Sequence, residues 1–209
     1  MPNTVKIVRF HQTGGPEVLQ VDELPLPEPG PGEVRLRVKA IGLNRAEVMF
    51  RMGRYLVEPE LPSKLGYEAS GIVEAVGEGV ERSWLGKTVS TVPAFAANKY
   101  GVYGEVAIVP AYAIALYPDK LSFEEGTSIW MQYLTAYGAL VAQGRLSKGD
   151  FALITAASSS VTGRHRDCAC RGRDQHRHHA NFSEEGGTSH AGCGLRDCHR
   201  RGRPRRPRQ

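Results

Sequence analysis

The sequence predicts three parts: a β-rich, partly open barrel-like domain over residues 1–121, the opening of a parallel α/β domain over 122–163, and a disordered tail over 164–209. Three observations carry this. Short alternating apolar segments recur between Gly/Pro breaks as far as Pro118, the pattern of a small barrel. Helical spacing and then an apolar run replace them. Past residue 163 the apolar side chains nearly vanish. Residues 164–209 hold no Ile, Val, Met, Trp, Tyr or Lys, and Phe182 and Leu195 are almost their only apolar bulk. Such a segment cannot bury enough surface to offset the entropy of ordering.

Val5, Ile7, Val8 and Phe10 begin a strand that Gly14-Gly15-Pro16 breaks, and Val18 to Val21 reads as its hairpin return. The run Pro25 to Gly32 (PLPEPGPG) is a rigid extended connection. From Glu33 to Ile41 the residues alternate. Val34, Leu36, Val38 and Ala40 share one face, and Arg35, Arg37 and Lys39 share the other, as in a half-buried strand. Asn44 is placed to cap a short helix through Met52, which Gly53 closes. Glu68 to Val80 reads as a strand and a Gly-rich turn, and Lys87 to Val92 and Gly104 to Val109 as further strands.

Ser122-Phe123-Glu124-Glu125 has the form of a helix start, a cap followed by acids. Helical spacing continues through Met131, Leu134, Tyr137, Leu140 and Val141 to Gly144. Lys148-Gly149-Asp150 then leads into the apolar run Phe151 to Thr155, which suits a central parallel strand. The small residues Ala156-Ala157-Ser158-Ser159-Ser160-Val161 follow. A strand and then a tight small-residue turn is the entrance to a dinucleotide-binding βαβ unit.

The formal charge of +5 is unevenly spread. The tail has twelve Arg against five acids, a net +7, so the body has fifteen bases against seventeen acids, a net −2. The basic balance therefore does not make the body a nucleic-acid binder. Pro2 and Asn3 stand where a signal peptide would be basic, and no apolar run reaches the roughly 18 residues of a membrane span. The expected location is cytoplasmic. All four cysteines lie in the tail, so the body is expected to hold neither a disulfide nor a thiolate metal site.

Five segments of the body, in order, resemble the medium-chain dehydrogenase/reductases. They are GGPEVLQV (14–21), PGPGEVRLRVKAIGLNRAE (29–47), LGYEASGIVEAVGEGV (65–80), WMQYLTAYGAL (130–140) and KGDFALITAASSSV (148–161). The resemblance is to the zinc-independent, zeta-crystallin-like quinone oxidoreductase branch. It implies a GroES-like substrate domain followed by a Rossmann domain, reducing a quinone, enone or other carbonyl with NADPH, in a homodimer. Zinc relatives place Cys just after the first long strand and His in a Gly-His-Glu motif; here those positions resemble Asn44 and Tyr67. Neither supplies the thiolate or imidazole of a catalytic zinc site, so no metal is expected.

The resemblance also implies site residues. Asn44 lies near the nicotinamide, Tyr55 lines the cleft, and Tyr67 is placed to donate a hydrogen bond to the reducible oxygen. Gln132 and Thr135 contact the nicotinamide side, and Ser158, Ser159, Ser160 and Val161 form the phosphate turn. The residue chemistry also allows simpler roles: Asn44 as a helix cap, Tyr55 and Tyr67 as packing, and Thr135 bonded back to its own helix. Glu47 and Glu68 read as solvated or structural.

Three readings compete for the tail. Cys168, Cys170, Cys193 and Cys198 with His176, His178 and His179 could suggest a metal site, but the spacings lack paired C-x₂-C and no apolar core surrounds them. RRGRPRRPR (200–208) resembles a basic nucleic-acid arm. The third reading is a shifted frame. His, Arg, Cys, Gly and Pro without Lys or Ile is what GC-rich coding DNA yields out of register. Permitted codons for residues 162–208, read one base later, give a helix, strand, turn and second helix containing TTRTSAKK, whose cations favour the 2′-phosphate of NADPH. On this reading the slip lies near Val161 or Thr162. The chain is then a truncated, catalytically dead form of the enzyme that has lost the dimer.

Overall fold

In the computed structural model, the residues described are 4–147, 150–154 and 175–177. All belong to the unit Met1–His178. Strand β1 (Thr4–Phe10) pairs antiparallel with β2 (Leu19–Pro25), in register from Thr4 opposite Pro25 to Phe10 opposite Leu19. A single 3₁₀ turn, Pro16–Val18, closes the hairpin. Alternation sends the two faces of β1 to different cores. Val5 and Ile7 pack with Val106, while Phe10 enters the main core and meets Phe50 edge-to-face, with ring centroids 5.8 Å apart.

The second sheet is centred on β3 (Glu33–Gly42) and β5 (Glu68–Val76). It runs β7-β3-β5-β6-β8, with β6 at Thr88–Thr91, β7 at Val106–Pro110 and β8 at Ile114–Leu116, all antiparallel. The two-residue β4 (Ser63–Lys64) extends the hairpin sheet. Backbone bonds from Val8 to Tyr103 and from Glu105 to Lys6, both 2.9 Å, join the sheets into a partly open barrel. Val34, Leu36, Val73, Val89 and Val109 fill it.

The even face of β3 is buried as its alternation predicts, but only as far as Leu36. A register shift against β5 between Val38 and Ala40 then turns the strand, and Ile41 is exposed. The odd face is not simply solvated. Arg35 is buried because its guanidinium donates to the Pro27 carbonyl and pairs with Glu28, both at 2.9 Å. The Pro-rich connection covers this face and supplies those acceptors.

Helix α1 (Arg45–Arg51) follows Asn44, and Gly53 ends it with φ +65°, as the sequence predicts. Helix α2 (Phe123–Gly126) carries a reciprocal cap: Glu125 N–H donates to Ser122 Oγ at 3.2 Å, and Ser122 N–H donates to Glu125 at 2.9 Å. Helix α3 (Trp130–Tyr137) continues into a wider π-type turn, Gly138–Gln143. Strand β9 (Ala152–Ile154) pairs in parallel with β10 (Gln175–Arg177). Phe151, expected in the strand, lies before it and is exposed. Strand β10 falls within the segment expected to be disordered; the rest of that segment, and Ser158 to Val161, lie outside the described residues.

Gly66 marks a close approach that only glycine permits. Its φ is +101°, and a Cβ there would lie 2.3 Å from Cδ1 of Tyr103. Gly66→Ala is expected to cost about 2 kcal/mol through backbone strain and overpacking. An unchanged midpoint in urea denaturation would contradict this.

Candidate functional site

A cavity of about 490 Å³ opens between the β3–α1 junction, the start of β5 and the first turns of α3. Asn44, Glu68, Met131, Gln132 and Thr135 are in its wall. Asn44 reaches it because β3 ends at Gly42 and the chain stays extended at Asn44 (φ −126°, ψ 147°) before α1 turns. Gly42 permits this crossing; a Cβ on it would lie 2.8 Å from that of Glu68.

Two buried carboxylates frame Asn44. Glu47 is 3% exposed and Glu68 4% exposed, so neither is solvated, contrary to one of the two readings open from sequence. Glu47 accepts from Asn44 N–H at 2.7 Å, from Tyr67 N–H at 3.0 Å and from the Tyr103 hydroxyl at 2.6 Å. Glu68 accepts from Asn44 Nδ2 at 2.9 Å through one oxygen and from Met131 N–H at 2.8 Å through the other. Burial pushes the Glu68 carboxyl above the usual range, opposed by these two donors. Burial and the Glu47 carboxylate push the Tyr103 phenol far up, so it remains a donor.

Of the residues singled out from sequence, the structure gathers Asn44, Gln132 and Thr135 at the cavity. Thr135 Oγ1 donates to the Met131 carbonyl at 2.6 Å, and Gln132 Nε2 donates to the Ser128 carbonyl. Thr135 thus spends its one donor on α3 itself, and Gln132 spends one on the turn that leads into it. Tyr55 and Tyr67 are not in this wall; both pack, partly buried, on the main core. Tyr67 lies tilted against Phe95 at 5.7 Å. Burial, and then the neighbouring Tyr55 and Glu47, raise the Tyr67 phenol above its ordinary value. Among the described residues no cluster of three His, Cys, Asp or Glu is placed to hold a metal, and no helix is long and apolar enough to cross a membrane.

Sequence reasoning left Glu47 and Glu68 open between a solvated and a structural role, and their burial decides for the second. The spacing Asn44-x-x-Glu47 is itself a capping-box signal and marks Glu47 as turned toward its own helix start.

Residues 30–119 match the alcohol dehydrogenase GroES-like domain family. The chain is 38% identical over 150 residues to the rat synaptic vesicle membrane protein VAT-1 homolog, covering 71% of this chain and 36% of that one. It is 38% identical over 156 residues to a quinone oxidoreductase of Pseudomonas aeruginosa, covering 75% and 46%. The solved Escherichia coli quinone oxidoreductase complexed with NADPH superposes with a TM-score of 0.70 at 32% identity, covering 81% of this chain and 51% of that one. The class is thus a GroES-like domain of the alcohol dehydrogenase type. The chain belongs to the medium-chain dehydrogenase/reductase superfamily and is quinone oxidoreductase-like. It spans less than half the length of the two curated relatives described.

Proposed function

We propose that the chain carries the substrate domain and the opening of the cofactor domain of a zinc-independent, cytoplasmic reductase. The lineage's activity is hydride transfer from NADPH to a quinone, enone or other carbonyl. The observation that carries this reading is Asn44, held by Glu68 at a cavity whose opposite wall bears Gln132 and Thr135. The cavity volume of about 490 Å³ falls in the range of small-molecule sites. Two carboxamides and a hydroxyl suit the nicotinamide end of the cofactor. When bound, NADPH supplies the hydride. The chain's own residues orient and enclose: Asn44, Gln132 and Thr135 hold the ring's polar edge. The resemblance assigns the O–H donor for the reducible oxygen to Tyr67, which burial keeps protonated but which packs on the main core outside this wall.

The donor set does not suit zinc. Asn44 and Tyr67 stand where the resemblance places zinc ligands, and a neutral carboxamide and a protonated phenol are poor partners for it. The adjacent carboxylates are already engaged, since every oxygen of Glu47 and Glu68 accepts a protein hydrogen bond. The purified chain is expected to retain less than stoichiometric zinc in its body after dialysis. Truncation at residue 163 separates the body from the tail cysteines, and one zinc per truncated chain by elemental analysis would refute the expectation.

The reaction itself is tested on a chain with its frame restored after Val161, by following loss of reduced-nicotinamide absorbance with a panel of quinones and enones. Turnover with NADPH, insensitive to chelators, supports the proposal. A folded protein that reduces none of the panel, or that needs added zinc, would refute it.

A further inference from the structure

We propose that Glu68 is a positioning residue. It holds the Asn44 carboxamide in one orientation and ties it to the first turn of α3, so fixing the two walls of the cavity relative to each other. The proposal rests on the reading of that cavity as the nicotinamide site.

The geometry is specific. Glu68 begins β5, Asn44 follows β3, and Met131 lies in the first turn of α3. One carboxylate joins all three, with Oε2 to Asn44 at 2.9 Å and Oε1 to Met131 N–H at 2.8 Å. An ionised carboxylate only accepts, so it must face the Nδ2 side of the carboxamide. The other orientation would set oxygen against oxygen. The Asn44 oxygen is thereby turned away from Glu68 and toward the first turn of α1, where the Glu47 N–H completes the capping box. A carbonyl oxygen has two lone pairs, so one remains to receive an N–H or O–H from a ligand. Asn44 thus presents an acceptor, suited to a carboxamide N–H₂ or a hydroxyl rather than to a bare carbonyl.

The same carboxylate serves α3. The residue before the helix, Ile129, makes no side-chain cap bond and is itself helical. Glu68 supplies the missing acceptor from another strand, where an anion is favoured by the helix dipole. Gln132 and Thr135 therefore keep their places in the wall through the residue that orients Asn44. The other titratable groups facing Glu68 are Glu47 on α1 and Tyr103 ahead of β7, the latter committed to Glu47.

The test is hydrogen exchange by NMR on the full 209-residue chain, wild type and E68M. Methionine keeps the length and removes both strong acceptors. In the wild type, an Asn44 side-chain proton is expected to exchange about 10-fold more slowly than in a free asparagine, or slower still. In E68M both the Asn44 side chain and the Met131 amide should lose that protection while Val34 and Leu36 in β3 keep theirs. Loss at Met131 alone, with the Asn44 side chain unchanged, would mean that Glu68 only caps α3 and would overturn the proposal. If E68M does not fold, the wild type decides, since free-rate exchange at Asn44 also overturns it. These data need no cofactor. NADPH titration of the frame-restored chain judges the nicotinamide reading separately.

Discussion

If the tail is read from a shifted frame, restoring the frame near Val161 is expected to tighten NADPH binding by about 100-fold or more, on the order of 3 kcal/mol. The reason lies in what the phosphate turn must be followed by. A dinucleotide's pyrophosphate is held by backbone N–H groups at the N-terminus of the next helix, and its adenosine ribose by the end of a second strand. Here Ser158 to Val161 lead into Thr162-Gly163-Arg164-His165-Arg166-Asp167, with no apolar residue to anchor a helix on a sheet. Strand β9 also needs sheet neighbours beyond β10, whose Gln175-His176-Arg177 offers no apolar partner by composition. The repaired chain should therefore gain solubility, NADPH binding and reductase activity together. Fluorescence titration of both chains decides the matter. Micromolar binding by the chain as it stands would sink the dead-form reading. A repaired chain that folds and ignores NADPH would sink the cofactor assignment. A salt-sensitive affinity of the present chain for nucleic acid would instead favour the basic-arm reading of its tail.

The barrel was legible because its strands alternate. Val5 and Ile7, and then Val34 and Leu36, mark buried faces by period alone. What the period does not show is what covers the opposite face. Arg35 reads as solvent-facing, and its burial depends on the Pro27 carbonyl folding back over β3. The short strands β4 and β8 were not read, because two or three residues are too few for a pattern. The site divides in the same way. Asn44, Gln132 and Thr135 could be singled out by likeness to a family, and they do line one cavity. Glu68 could not be weighed from local sequence, since its partners Asn44 and Met131 lie 24 and 63 residues away. An acid at the start of an apolar strand looks like an edge residue until those donors are seen.

Glu47→Gln is expected to cost about 4 kcal/mol of stability, a large share of a small domain's total. Three donors converge on this one side chain: Asn44 N–H, Tyr67 N–H and the Tyr103 hydroxyl. Glutamine keeps the shape but offers one acceptor oxygen and turns an N–H₂ group toward the remaining donors. At least one donor is then buried without a partner, and hydrogen bonds to a charged acceptor are lost, at about 1.5–3 kcal/mol each. The loss would reach the site, because Glu47 fixes the backbone of Asn44 and of Tyr67, the two positions that resemble the zinc relatives' ligand positions. Tyr103→Phe provides the scale. It removes one donor and leaves Glu47 with both backbone partners, so its cost should be about 1–2 kcal/mol. The same hydroxyl lies 3.1 Å from the Gly42 carbonyl, which shares its one proton, and this places the expected cost toward the upper end. Urea denaturation of the three proteins gives the comparison directly. If E47Q falls within 0.5 kcal/mol of wild type, or proves milder than Y103F, then Glu47 does not hold the β3–α1 junction, and Asn44 must be held there by Glu68 alone.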